Sequence, residues 1–145
     1  MPGTTPMTMR ILLATLAYVL PTFPLGYVWH LVAFKSYYDA LEVYRDDVII
    51  PFGIASMLIQ GVIWARLYGR LFSGEPVLRG AAKFACMAAP LAWSFMVLAV
   101  AAKHRMASVS GFVLVETGFT LLQYAVVSPL IALAFSPRLE RAHAA

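Results

Sequence analysis

The chain has 145 residues, of which 61% are apolar and 12% charged. A soluble domain carries roughly 45–50% apolar and about 25% charged residues. A water-facing globule is therefore excluded, and a single all-α membrane domain spanning residues 1–145 is expected. The formal charge of +4 does not point to nucleic acid, because the eleven Lys and Arg are scattered singly and form no basic run.

Residues 1–8, MPGTTPMT, are rich in Pro and Thr without periodicity and read as a disordered tail. The first apolar segment covers 11–34. Arg10 and ILLATLAYVL could form the n- and h-regions of a signal peptide, but no A-x-A site follows and the apolar character continues to Phe34. A retained transmembrane helix is expected, bent at Pro21 and Pro24, where the missing N–H groups interrupt the hydrogen-bond ladder. The stretch KSYYDALEVYRDD follows. Tyr37, Leu41 and Tyr44 recur at helical spacing with charges on the other side. This predicts a short amphipathic helix in the first outer loop, its tyrosines at headgroup level.

The second transmembrane helix is expected over 48–68, with Asp46 and Asp47 placed to cap it and Pro51 in its first turn. Gly61, Ala65 and Gly69 form small-xxx-small steps, with Gly53 on the same broad face. Such a face lets another backbone approach closely, inside the bundle or between protomers, and Gln60 could hydrogen-bond across it. The third helix is expected over 82–102, interrupted by Pro90, with Ala81, Ala85 and Ala89 as a similar face. Cys86 is the single cysteine, so neither an intrachain disulfide nor a CxxC metal knuckle can form; it reads as a small buried hydrophobe. The fourth helix is expected over 109–135, with Pro129 near its end, and 136–145 as a polar tail. Trp29, Trp64 and Tyr68 read as interfacial belt aromatics, and Arg66 and Arg70 as snorkelling cations.

Two hairpins show a faint internal repeat. PLGYVWHLVA from Pro24 is echoed by PLAWSFMVLA from Pro90, at an offset of 66 residues. With the N-terminus inside, seven cations (Arg10, Arg66, Arg70, Arg79, Lys83, Arg138, Arg141) lie inside and four (Lys35, Arg45, Lys103, Arg105) outside, which favours both termini in the cytoplasm.

Glu116 is the most informative single residue. It lies about seven residues into the fourth helix, roughly 10 Å from its end at 1.5 Å per residue. An ionisable group at that depth costs a few kcal/mol unless it is protonated, paired or facing water. Thr120 and Gln123 share its face. The stripe is either a proton or cation site, or interhelical hydrogen bonding that fixes packing. His30 lies near the outer end of the first helix, within reach of Glu116 across the bundle, where imidazole and carboxylate would stabilise each other and titrate as a unit. No second histidine is embedded, since His104 falls in a loop and His143 in the tail, so no metal or other cofactor is expected. P-loop, HExxH, GxSxG and dinucleotide-binding motifs are all absent, and no enzyme is expected.

The spacing Gly26-x-x-Trp29-His30-x-x-x-Phe34-x-x-Tyr37-Tyr38 resembles an uncharacterised family of small bacterial four-helix membrane proteins. In that family a Tyr usually stands where His30 is, and often a Trp where Tyr38 is. The resemblance covers about a fifth of the chain. It implies an inner-membrane protein and carries over no catalytic residues. A non-enzymatic four-helix bundle is thus expected in the lipid bilayer. Its leading role would be an accessory or scaffold subunit, as a homo-oligomer or in a larger membrane complex. A small transporter or lipid- or quinone-binding protein using Glu116, His30, Gln123 and Thr120 is the alternative.

Overall fold

The computed structural model describes residues 6–45 and 47–136, and within them every regular element is helical. Helix α1 (Met7–Val28) continues through a π-helical turn, Trp29–Ala33. Helix α2 (Lys35–Leu41) follows, then α3 (Ile50–Leu71). Helix α4 (Val77–Trp93) runs through a second π turn, Ser94–Leu98, into α5 (Ala99–Lys103), and α6 (Val109–Ala134) closes the chain. Four spans, Met7–Ala33, Ile50–Leu71, Val77–Lys103 and Val109–Ala134, are long and apolar enough to cross a membrane. Their outward faces carry Leu20, Ile59, Leu78, Leu114 and Leu121, all exposed, as lipid-facing surfaces require.

Several boundaries differ from the expected ones, and proline accounts for two. Pro6 and Pro76 stand at the N-caps of α1 and α4, where a missing N–H costs nothing, so Met7 and Thr8 are helical and the third span starts at Val77 rather than 82. Residues 1–5 and 137–145 of the two expected tails lie outside the described residues, as does Asp46. Asp47 does not cap α3. It pairs with Arg45 at 3.3 Å, and Ile49 holds the cap position without a side-chain bond. Pro21 and Pro24 sit inside a continuous α1; the irregularity lies beyond them, in the π turn closed by Phe34 N–H to the Trp29 carbonyl at 3.0 Å. The second π turn begins four residues after Pro90, so the two halves of the faint repeat carry the same irregularity within one residue of register.

Helices α1 and α6 form the centre. Helix α3 packs along α1, and α4 along α6. Gly61 makes the first contact close: a Cβ there would stand 3.2 Å from Thr15 Cγ2 and 3.3 Å from the Thr15 carbonyl. Ala65 is fully buried, and a Cβ on Gly69 would stand 2.9 Å from the Phe135 ring. These three small residues therefore serve packing within the chain. Gly53 does not, since nothing lies within 4 Å of where its Cβ would be. On α4 the buried face is Gly80, Ala81, Phe84 and Ala88 rather than Ala81, Ala85 and Ala89. Cys86 is exposed on the opposite side, correcting its reading as a buried residue.

At the end that carries the chain termini, α3 and α4 are bridged by aromatic rings. Trp64 and Tyr68 stand edge-on to Phe84, with centroids 5.7 and 5.6 Å apart, and Trp64 meets Tyr124 at 6.3 Å. Both residues belong to the core rather than to an interfacial belt. Small α4 residues leave space opposite α3 that only large rings fill. Beyond this plug the helices part. No residue of α3 from Ile50 to Gln60 is buried, whereas Gly61, Trp64, Ala65 and Tyr68 are.

Candidate functional site

The site forms where α3 stands away from the bundle, and four pieces of chain position it. The first π turn carries His30, whose Nδ1 lies 2.9 Å from the Gly26 carbonyl. A carbonyl can only accept, so Nδ1 carries a proton and Nε2 faces inward. Helix α2 carries Tyr38, which is buried together with Leu41. The helix ends at Glu42, the single positive-φ non-glycine residue among those described, at φ 56°. The left-handed residue turns the chain sharply, and Tyr44 comes back over the site. The Leu41 carbonyl accepts from Ala107 N–H at 3.1 Å, tying the end of α2 to the α5–α6 connection.

An amphipathic helix through Tyr44 was expected, with Tyr37 and Tyr44 at the interface. The observed helix is one turn shorter, Tyr38 rather than Tyr37 faces inward, and Tyr44 lies outside it. The Glu42 turn separates Tyr44 from the helical face that periodicity suggests.

These tyrosines converge on Glu116 of α6. Tyr38 donates its hydroxyl to Oε1 at 2.7 Å, Tyr44 donates to the same oxygen at 3.3 Å, and His30 Nε2 lies 3.2 Å from it. Glu116 itself is only 7% exposed. Three donors on one oxygen suit a carboxylate, which accepts at several lone-pair sites. With Nδ1 already protonated, a donating Nε2 makes the pair imidazolium and carboxylate. The same single proton placed on Glu116 makes both groups neutral, and the 3.2 Å contact accommodates either placement. The two phenols are stacked with centroids 4.8 Å apart. Burial first, then the neighbouring Glu116 carboxylate, pushes both phenols above their ordinary range, so they remain donors.

A second polar group lies one to two turns deeper. The Thr120 hydroxyl donates to the Glu116 carbonyl at 2.9 Å and so serves its own helix. Gln123 Nε2 donates to Tyr18 Oη at 3.1 Å and to Thr22 Oγ1 at 3.4 Å. Tyr18 passes a bond on to Gln60 Oε1 at 2.7 Å, and Gln60 Nε2 donates to Ser56 Oγ at 2.9 Å. Gln123 is thus joined to α1 and α3 rather than to Glu116. The hydroxyls of Tyr124 and Ser128 and the indole N–H of Trp64 are buried nearby without a protein partner.

Both polar groups open on one cavity of about 420 Å³ between α1, the first half of α3, the second π turn and α6. His30, Tyr44, Glu116 and Gln123 supply polar atoms, while Met57 and Met96 belong to an apolar lining. Size and lining match sites that hold a small molecule by an apolar body and a few fixed polar groups. Among the described residues no group of three or more His, Cys, Asp or Glu could hold a metal ion.

The pairing of His30 with Glu116 was legible from their depths in the two helices. Tyr38, Tyr44 and Tyr18 were not singled out as partners. For Tyr38 and Tyr44 the signal is three tyrosines (Tyr37, Tyr38 and Tyr44) in eight residues shortly after His30, a density that interfacial anchoring only partly explains; Tyr18, in mid-helix, carries no such signal. Comparison with family models, curated proteins and solved structures gave no match, so the likeness to small four-helix membrane proteins rests on the motif from Gly26 to Tyr38 alone.

Proposed function

We propose that the chain is a non-enzymatic, multi-pass membrane protein that binds a small lipophilic molecule in the cavity, its polar end against Glu116. One observation carries the reading: a buried carboxylate, held by Tyr38, Tyr44 and His30, forms the wall of an open-sided cavity. Glu116 is largely covered by its three neighbours yet still lines space large enough for a ligand.

The accessory-subunit reading rests on the little surface that four short helices bury and on small-residue faces. Gly61, Ala65 and Gly69 are occupied within the chain, which weakens the second of these grounds. A bacterial inner membrane is the compartment implied by the motif likeness. Termini in the cytoplasm are supported by Arg10, Arg66, Arg70, Arg79 and Lys83 at the termini end of the spans, against Lys35, Arg45, Lys103 and Arg105 at the other.

The test is native mass spectrometry of the protein purified in lipid nanodiscs. The wild type is expected to retain a bound lipophilic mass. Gly53→Trp, which adds an indole where the cavity wall is empty, is expected to lose it while folding normally. A wild type that carries no such mass and binds no lipophilic probe refutes the reading.

A further inference from the structure

We propose that the cavity takes a lipophilic organic cation, which docks on Glu116 in exchange for the one proton that Glu116 and His30 share. The inference rests on the binding reading above and names its ligand class. The charge inventory of the walls carries it. Among the described residues that line the cavity there is no Lys, Arg or Asp; Glu116 is the single carboxylate and His30 the single base. The remaining polar lining is hydroxyl and amide, and the rest is apolar or aromatic, with Phe23, Tyr27, Tyr44, Phe112 and Phe119 among the rings. An anionic head would meet a carboxylate and π faces, both of which repel it. A cation with an apolar body finds a counter-charge and ring faces together.

The groups that face Glu116 determine what happens to the proton. Helix α1 contributes His30, α2 contributes Tyr38, and the α2–α3 connection contributes Tyr44. From α3 the lining residues are Ile50, Gly53, Ser56, Met57 and Gln60, and from the α4–α5 span Ala92, Met96 and Val100, none of which ionises. The other titratable residues of the lining are Tyr18, Tyr27 and Tyr124, all phenols. His30 is thus the one group able to balance Glu116 before a ligand arrives.

A buried site is stable only when its charges cancel. With imidazolium and carboxylate the resting sum is zero. A bound cation raises it to plus one unless a proton leaves. The His30 Nε2–H bond breaks, its electron pair stays on the nitrogen, and the proton passes to water. His30 remains as neutral imidazole, its Nδ1–H still held by the Gly26 carbonyl. Glu116 stays ionised and now pairs with the cation, so the sum returns to zero. Binding and proton release are one event.

The experiment uses two probes of one shape and opposite charge, tetraphenylphosphonium and tetraphenylborate, with protein in nanodiscs and empty nanodiscs as the blank. Titration calorimetry in buffers of different ionisation enthalpy reads the protons released. Expected is binding of the phosphonium at least tenfold tighter than the borate, release of about one proton, and affinity rising about tenfold per pH unit while the pair holds its proton. Glu116→Gln is expected to lose phosphonium binding. His30→Gln is expected to keep binding and still to release about one proton, now from the Glu116 carboxyl, so the pH range over which affinity rises shifts relative to wild type. That variant and the wild-type pH profile test the exchange even if Glu116→Gln does not fold. Equal binding of the borate, or a pH-independent wild type, overturns the exchange while leaving a lipophile-binding cavity. Failure of both probes, together with no co-purified mass, overturns both readings.

Discussion

Replacing Tyr38 by Phe removes one hydroxyl and almost no volume, so its cost reports the bond to Glu116. That bond is 2.7 Å long, buried, and made to an oxygen that also faces Tyr44 at 3.3 Å and His30 at 3.2 Å. If Glu116 is ionised the bond is charge-assisted, and its loss is expected to cost about 1.5–3 kcal/mol. In a Glu116→Gln background the acceptor oxygen remains but the charge does not. The same Tyr38→Phe change should then cost only about 0.5–1.5 kcal/mol, the range of a neutral bond. Neutral hydrogen bonds between transmembrane helices average about 0.6 kcal/mol, so the low end is the safer expectation for the second background. Equilibrium unfolding in mixed micelles, run on all four variants, gives both numbers. Tyr44→Phe should cost less than Tyr38→Phe, because its bond is longer and the residue is 40% exposed. Equal costs for Tyr38→Phe in the two backgrounds would show that no charge on Glu116 is being stabilised. The imidazolium–carboxylate assignment, and the proton exchange built on it, would then fail.

The two ends of α3 should respond oppositely to added side-chain bulk. Gly69→Leu forces atoms into the Phe135 ring, already 2.9 Å from the Cβ position, and is expected to destabilise by about 1–3 kcal/mol in the same unfolding assay. Gly53→Ala meets nothing and is expected to be neutral or to stabilise by up to about 1 kcal/mol. At the α3–α4 turn, a hydrogen bond from Lys83 and the nearby charges of Lys83 and Arg79 hold the Glu75 carboxyl below its ordinary value of 4.5. A depressed carboxyl favours the fold above its unfolded value and loses that contribution as pH falls through the folded one. Glu75→Gln should therefore unfold earlier than wild type at neutral pH and match it in strong acid. Finally, Glu42→Cys and Ser73→Cys, each in a Cys86→Ala background, should differ towards a membrane-impermeant maleimide, one reacting in intact cells and the other only after the cells are opened. Labelling from the same side would refute the four-span topology.

The spans were legible because lipid demands about 20 apolar residues in a row and little else. Their ends were less so, since a proline cap such as Pro76 allows Arg79 to sit inside the helix rather than in the loop before it. Depth alone put His30 opposite Glu116, as both lie a few residues from the same end. The tyrosines were obscured by a backbone event. One left-handed residue, Glu42, moves Tyr44 off the helix that its spacing suggests. Trp64 and Tyr68 were misread for a different reason: an aromatic residue near a span end has the same local signature whether it meets headgroups or a neighbouring helix. Only the small residues Gly80, Ala81 and Ala88 on the facing helix decide for the core, and no local pattern links them to α3.

The parting of α3 from α4 beside the cavity bears on how any affinity for this protein should be expressed. The gap runs along residues 50–60 of α3, none of which is buried, and in the proposed membrane setting a ligand would reach it sideways through the acyl chains. The concentration that governs occupancy is then the ligand's mole fraction in the bilayer, not its molarity in water. Doubling the lipid at fixed total ligand would dilute a fully partitioned probe twofold and weaken its apparent aqueous affinity by the same factor. Two ligands that fit equally well would rank by how strongly each dissolves in the membrane.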